Sequence, residues 1–258
     1  MILDRDDLTR NFTEAAIPAY TCPYCFKGTL ALNGVINPVE TERSLKEHDA
    51  EYWDVDFVEN TFSCSMQCSL CKELVHVIGS GGVEEEYDVA EDGEWIRNYV
   101  AFYKPAYFYP SLQLIPLPGD TPKPVVDRLE SAFALFFSHP DSCCNSIRAA
   151  AEEVLSDLNI AVTEEGTGRY ISFANRINLL SEAHANAKAL FDAIRWLGNY
   201  GSHPGASLTS SDACDALEII ELLLEDLYST RKREIKDLVD RINNAKGPAG
   251  RRPAIVGR

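Results

Sequence analysis

The chain has 258 residues, enough for one large domain or two small ones, either of which can bury a core. Its apolar share of 45% and charged share of 25% are ordinary for a globular protein and exclude wholesale disorder. A formal net charge of −16 excludes a protein that coats nucleic acid by bulk electrostatics. The charge is unevenly spread: residues 231–258 hold nine Lys/Arg against three Asp/Glu, a balance of +6 that leaves −22 on the remainder. An acidic body with a basic end fits several partners, and it equally fits a solvated helix followed by a frayed terminus. Residues 1–12 contain three Asp and no apolar run of signal-peptide length, and no stretch is apolar enough to span a bilayer. A cytoplasmic location without membrane contact is therefore expected.

Along the chain, the first informative feature is a pair of CxxC motifs, Cys22-Pro-Tyr-Cys25 and Cys68-Ser-Leu-Cys71. Each turns tightly enough to present two sulfurs to one ion, and two such turns supply the four thiolates of a structural zinc site. The gap of 42 residues between the pairs is longer than in compact zinc ribbons, so an insertion must loop out, and the charged stretch 40–51 is its candidate. Cys64, four residues before Cys68, offers a competing ligand. Cys68 and Cys71 are preferred because their spacing repeats that of the first pair. A redox CxxC would need a strand–helix junction of the βαβ kind, and disulfides are disfavoured in a chain without an export signal. Four thiolates leave no open position for water, so the metal is expected to be structural. Cys143, Cys144 and Cys214 fall in helical patterns and read as small buried hydrophobes.

Residues 73–78 and 99–103 are β-branched and aromatic and predict short strands, while the glycine-rich acidic stretch 79–93 between them predicts a turn or loop. Pro105, Pro110, Pro116, Pro118, Pro122 and Pro124 then read as an irregular connector that cannot be helical. After Pro124 the apolar period becomes helical. Val126, Leu129, Phe133, Phe136 and Phe137 make one stripe. Ile147, Ala151, Val154, Leu155 and Leu158 make a second, with Pro140 in its first turn. Ser172 predicts the N-cap of a third helix, carrying Phe173, Ile177 and Leu180. A fourth bears Ala187, Leu190, Phe191, Ile194 and Leu197. Thr209 or Ser210 caps a long fifth, carrying Ala216, Ile219, Ile220, Leu223 and Leu227, whose pattern runs on through Ile235, Leu238, Val239 and Ile242. Five amphipathic helices with short connections imply a bundle.

The fourth and fifth helices are joined by IRWLGNYGSHP, in which Arg195, Asn199 and His203 are spaced i, i+4 and i+8. On a continuous helix these share a face. An arginine, an amide and an imidazole together can hold a phosphate and move a proton. Pro204 biases His203 away from helical angles, so a loop sets its aim. An ordinary structural account competes: Arg195 pairing with a carboxylate, Asn199 capping the helix, and His203 sitting where the helix dipole favours it. Arg148 and Glu152, one turn apart, similarly suit an intrahelical ion pair.

The IRWLGNYGSHP segment resembles the R-x-x-G-N-x-x-x-H stretch of domain-of-unknown-function family 4145, which is grouped with the all-helical HEPN domains. Residues 147–152 (IRAAAE) and 173–180 (FANRINLL) resemble two further helices of that family, and the CPxC segment and proline-rich connector also look like its members. The resemblance covers roughly residues 20–230. Together with the patterns above, an α+β chain is expected: a zinc-ribbon-like β region over 1–110, a connector over 111–125, a HEPN-like bundle over 126–246 and a basic disordered tail over 247–258. The resemblance further implies an interaction module of a bacterial or phage conflict system, forming a homodimer through the helical domain and meeting a partner protein of a restriction or defence system, or RNA. Many HEPN relatives are metal-independent ribonucleases. Carried over, Arg195 would stabilise the transition-state phosphate, Asn199 would position it and His203 would transfer the proton. Seven residues separate Arg195 from His203, a longer spacing than active HEPN domains usually have.

Overall fold

Alternating apolar residues make β3 (Glu59–Cys68) the organising strand: Phe62, Cys64, Met66 and Cys68 all point to the buried side of an antiparallel sheet. The computed structural model describes residues 4–89, 95–202 and 207–248. Two short strands, β1 (Leu30–Leu32) and β2 (Asn37–Glu40), pair in succession along one edge of β3. β4 (Leu74–Val89) pairs along its other edge, and β5 (Trp95–Tyr109) pairs with β4. The charged stretch 40–51 holds a short helix, α2 (Glu42–Glu47), capped by the Thr41 side chain.

The glycine-rich stretch is not the loop its composition suggests. β4 runs unbroken through Gly79, Gly81 and Gly82 to Val89. The glycines are there for room: a Cβ on Gly79 would fall on the Lys104 carbonyl and lie 2.7 Å from Phe62 Cε1, and one on Gly81 would lie 2.5 Å from the Phe102 carbonyl. Glycine inside a strand marks this kind of close approach as often as a turn. Residues 90–93, the remainder of the expected loop, lie outside the described residues.

The helical part is built from α3 (Lys123–Leu135), α4 (Pro140–Asp157), α5 (Phe173–Asn178), α6 (Ala185–Tyr200), α7 (Ser210–Tyr228) and α8 (Thr230–Ala245). Pro140 lies in the first turn of α4, Ser172 caps α5, and Thr209 forms a reciprocal capping box with Asp212 on α7. Three expectations need correction. Pro105, read as part of the connector, lies within β5 opposite Gly79, at a register shift where a strand can accept proline. Pro124 belongs to the first turn of α3 and not to the connector, because the first turn of a helix has no use for the N–H that proline lacks. The fifth helix also does not run on: Ser229 is extended (φ −69, ψ 108), ends α7, and caps a separate α8 by accepting from the Lys232 N–H. None of α8 is buried.

Sheet and helices share one continuous core. Leu112, Leu114 and Ile115 of the proline-rich connector are fully buried in it. Tyr20 and Phe108 from the sheet side meet Phe137 after α3, with ring centroids 4.8–6.5 Å apart. Such aromatic pairs contribute about 0.5–1.5 kcal/mol each beyond area burial. The short N-terminal helix α1 (Arg5–Thr9) adds a second tie, with the Arg5 guanidinium 2.7 Å from Asp215 of α7. The chain is thus a mixed α+β protein, an antiparallel sheet followed by a helical region. Among the described residues no helix is long and apolar enough to cross a membrane.

Gly79→Val should cost about 1–3 kcal/mol, the usual penalty for overpacking. A urea melt read by circular dichroism checks this, and unchanged stability would show that the strands can part without cost.

Candidate metal centre and helical site

The two CxxC segments adopt the same turn. In the first, the Cys22 N–H donates to the Gly28 carbonyl at 2.8 Å; in the second, the Cys68 N–H donates to the Glu73 carbonyl at 2.9 Å. The residue after each second cysteine, Phe26 or Lys72, has a positive φ of 54° or 68°. This left-handed step lets each short turn fold back on its sulfurs. Backbone N–H groups of Tyr24 and Gly28 donate to Cys22 and Cys25, and those of Leu70 and Cys71 donate to Cys68, all at 3.4 Å. N–H groups directed at sulfur favour thiolate over thiol. The turns are joined by the Ser69 N–H on the Thr29 carbonyl at 2.8 Å and by the Thr29 N–H on Ser69 Oγ at 3.1 Å.

As a result Cys22 Sγ lies 3.6 Å from Cys71 Sγ, Cys25 Sγ lies 3.7 Å from Cys68 Sγ, and all four sulfurs lie within 4.8 Å of one another. A tetrahedron with zinc–sulfur bonds of about 2.3 Å places its sulfurs about 3.8 Å apart. The four cysteines could therefore hold a metal ion, with a geometry compatible with zinc. The distances are far beyond a disulfide bond of about 2.05 Å, and the turns lead into strands and not into the helix of a redox motif. Burial opposes ionisation of Cys68, yet the N–H groups of Cys71 and Leu70 and the adjoining sulfurs hold its thiol down to about 6. The Gly28 and Lys27 N–H groups lower Cys25, whereas burial raises Cys22. At Cys71 the Glu73 backbone hydrogen bond is outweighed by burial and the three neighbouring sulfurs, which raise the thiol. Thiolates packed this closely repel one another unless a cation lies between them.

Cys64 is not part of the group. It sits in β3 opposite Val77, and burial pushes its thiol up to about 11. Cys143 and Cys144 on α4 and Cys214 on α7 are buried in the helical core. Sequence inspection passed over Gly28. A Cβ there would enter the van der Waals sphere of Cys68 Sγ and lie 2.9 Å from Leu70 Cβ, so only glycine leaves room for the Cys68 sulfur. A glycine three residues past a CxxC was the available signal.

The helical site lies on α6. Arg195 pairs with Asp192 at 3.1 Å and stacks its guanidinium 4.0 Å from the centre of the Trp196 ring. Asn199 is half-buried one turn on, and Trp196 and Tyr200 stand 63% and 55% exposed along the adjoining side of the helix. α6 passes α4 at Gly198, where a Cβ would lie 2.7 Å from Arg148 Cβ. Arg148 forms the intrahelical pair with Glu152 at 3.0 Å and lies over the Phe173 ring. Ser202 donates to Asn145 at 2.8 Å, closing the end of the α4–α6 contact. Arg176, which the sequence did not single out, is buried in α5 and donates to the Glu152 and Ile160 carbonyls and to Ser156 Oγ. The expected third member of the helical set, His203, lies outside the described residues, as does Pro204.

Residues 130–245 match the family model of a domain of unknown function, DUF4145. The DUF4145 region thus begins within α3 and ends with α8, and it contains Arg195, Gly198 and Asn199. The sheet region matches a second model, the domain of unknown function DUF8608, over residues 10–108. All four clustered cysteines fall within that match. No curated protein and no solved structure matches the chain.

One tightly held metal ion per chain is expected after purification under reducing conditions. Elemental analysis should find it retained in Cys64→Ser and lost, or reduced well below one equivalent, in Cys22→Ser, Cys68→Ser and Gly28→Val. Loss in Cys64→Ser with retention in Cys68→Ser would assign the ligands differently.

Proposed function

We propose that this chain is a zinc-stabilised interaction module of a bacterial or phage conflict system, with a zinc-ribbon-like sheet region and a HEPN-like helical region. Zinc is the ion that four thiolates at these separations suit, and with all four positions filled it has a structural role. Its binding free energy becomes folding free energy of the sheet region, so chelation should loosen the sheet before the helices.

The observation that carries the interaction reading is the exposed end of α6. Trp196 and Tyr200 are largely open to solvent around Arg195, and Trp, Tyr and Arg are the residue types that dominate binding energy at protein interfaces. Arg195 is already oriented by Asp192 and by the Trp196 ring, so little side-chain entropy remains to be lost on binding. The net charge of −16 favours a protein partner over nucleic acid at this surface. The partner fits best as another component of the same restriction or defence system.

A second reading rests on Arg195 and Asn199 lying one turn apart at the end of α6. With His203 they would cut RNA without a catalytic metal, Arg195 steadying the phosphate and His203 moving the proton.

One set of measurements separates the two. Titration with the purified protein encoded beside this one should show binding that weakens at least about tenfold in Trp196→Ala/Tyr200→Ala, the loss expected of one or more hot-spot residues. Labelled single-stranded RNA should be neither bound nor cut. RNA binding with no protein binding would overturn the protein-partner reading. Cleavage that persists in EDTA and disappears in Arg195→Ala and His203→Ala would establish the nuclease.

A further inference from the structure

Alternate residues of β3 and β4 point away from the core, and the antiparallel register sets them in rows across the sheet. Ser65, His76 and Tyr109 form one row, and Asn37, Ser63, Ile78 and Tyr107 the next. A third runs from Val39 on β2 through Thr61 and Ser80 to Lys104 on β5. All but the half-buried Ser65 are exposed, Tyr109 by 79%. None of them is Asp or Glu. The chain carries 40 such residues against 24 Lys and Arg, so an open face of this size without a carboxylate is an exception to its composition.

The face also bears a projection and a recess. Tyr109 stands out on the β5 side. On the other side a cavity of about 380 Å³ opens between residues 33–37 and β4, lined by Asn33, Asn37, Ser63, His76 and Ile78 among others. Ser65 Oγ lies 3.0 Å from His76 Nδ1 and orients the imidazole in the cavity wall. The recess has room for a phenol ring, and its wall mixes aliphatic surface with groups that can bond a hydroxyl, which is what the two ends of a tyrosine require. Projection and recess are displaced from each other across the strands of one face. A twofold axis between them matches each with its counterpart on a second copy.

Charge selects that occupant. A basic partner would be drawn to carboxylates, which this face lacks, and a nucleic acid would need more cations than Lys104 and His76 supply. A second copy of a chain with net charge −16 is repelled wherever carboxylates meet carboxylates, and this face removes that cost. Tyrosine is among the residues that dominate binding energy at interfaces. We propose that two copies meet through this sheet face about a twofold axis, the Tyr109 ring of each seated in the recess of the other. The contact uses the sheet alone and is independent of the α6 reading.

Light scattering on the full chain at roughly tens of micromolar tests this. The wild type should be a dimer that tightens as salt is raised, because screening weakens the repulsion between two acidic bodies and no ion pair holds the contact. Tyr109→Ala and Ser63→Glu should each stay folded by circular dichroism and weaken the dimer at least about tenfold. Leu222→Glu, which adds the same charge on α7, should leave it unchanged. Mixed, the two face variants should associate more tightly than either alone, since one projection and one recess of the pair remain intact. Should Ser63→Glu unfold, Asn37→Glu brings the charge to the same wall from β2 and should give the same weakening. A monomeric wild type overturns the proposal, including one whose sheet face instead binds another protein. So does a dimer that weakens with salt, or one that Leu222→Glu disrupts as much as Ser63→Glu. A dimer indifferent to both face variants, or a mixture no tighter than its parts, overturns it equally.

Discussion

The meeting of four sulfurs from two distant turns is the constraint on which the sheet region depends. One turn precedes β1 and the other joins β3 to β4, with 42 residues between the pairs. Bringing them together fixes the register of β1 on β3, since Leu30 pairs with Cys68 itself. It also fixes the start of β4, since Cys68 and Glu73 close the turn between them. The turns themselves bring little apolar area to this task, and a metal ion held by the four sulfurs would supply the difference. Gly28 shows how tightly the arrangement is made, because even a methyl group there would compete with a sulfur for space.

The helical region is held to the sheet without any metal. The Tyr20–Phe108–Phe137 contact, the buried connector leucines and the Arg5–Asp215 pair join the two parts into one core. The consequence for function is that the two outer features, the end of α6 and the outward face of the sheet, are carried by one body. The tie between Arg195, Asp192 and Trp196 works in the same direction locally, trading a free cation for an oriented one.

Much of this was legible from residue spacing, and the failures have physical causes. The paired CxxC motifs pointed to the four cysteines that the fold gathers, and Ser172, Thr209 and Pro140 marked helix starts because capping chemistry is local. Gly79, Gly81 and Gly82 were misread because glycine serves both turns and close strand contacts, and only the opposing strand distinguishes the two. The break at Ser229 was hidden because apolar residues at helical spacing resume beyond it at Ile235, Leu238, Val239 and Ile242. Arg176 could not be found at all. Its burial is created by the carbonyls of Glu152 and Ile160, distant in sequence, and nothing in its neighbours announces them.

X-ray absorption at the zinc edge of the purified protein tests the central claim most directly, because it reads the ligand shell itself. Four sulfur neighbours at about 2.3 Å with no nitrogen or oxygen are the predicted result. A shell containing light atoms, fewer than four sulfurs, or no metal in the fully folded protein would contradict the account of how the sheet region is held.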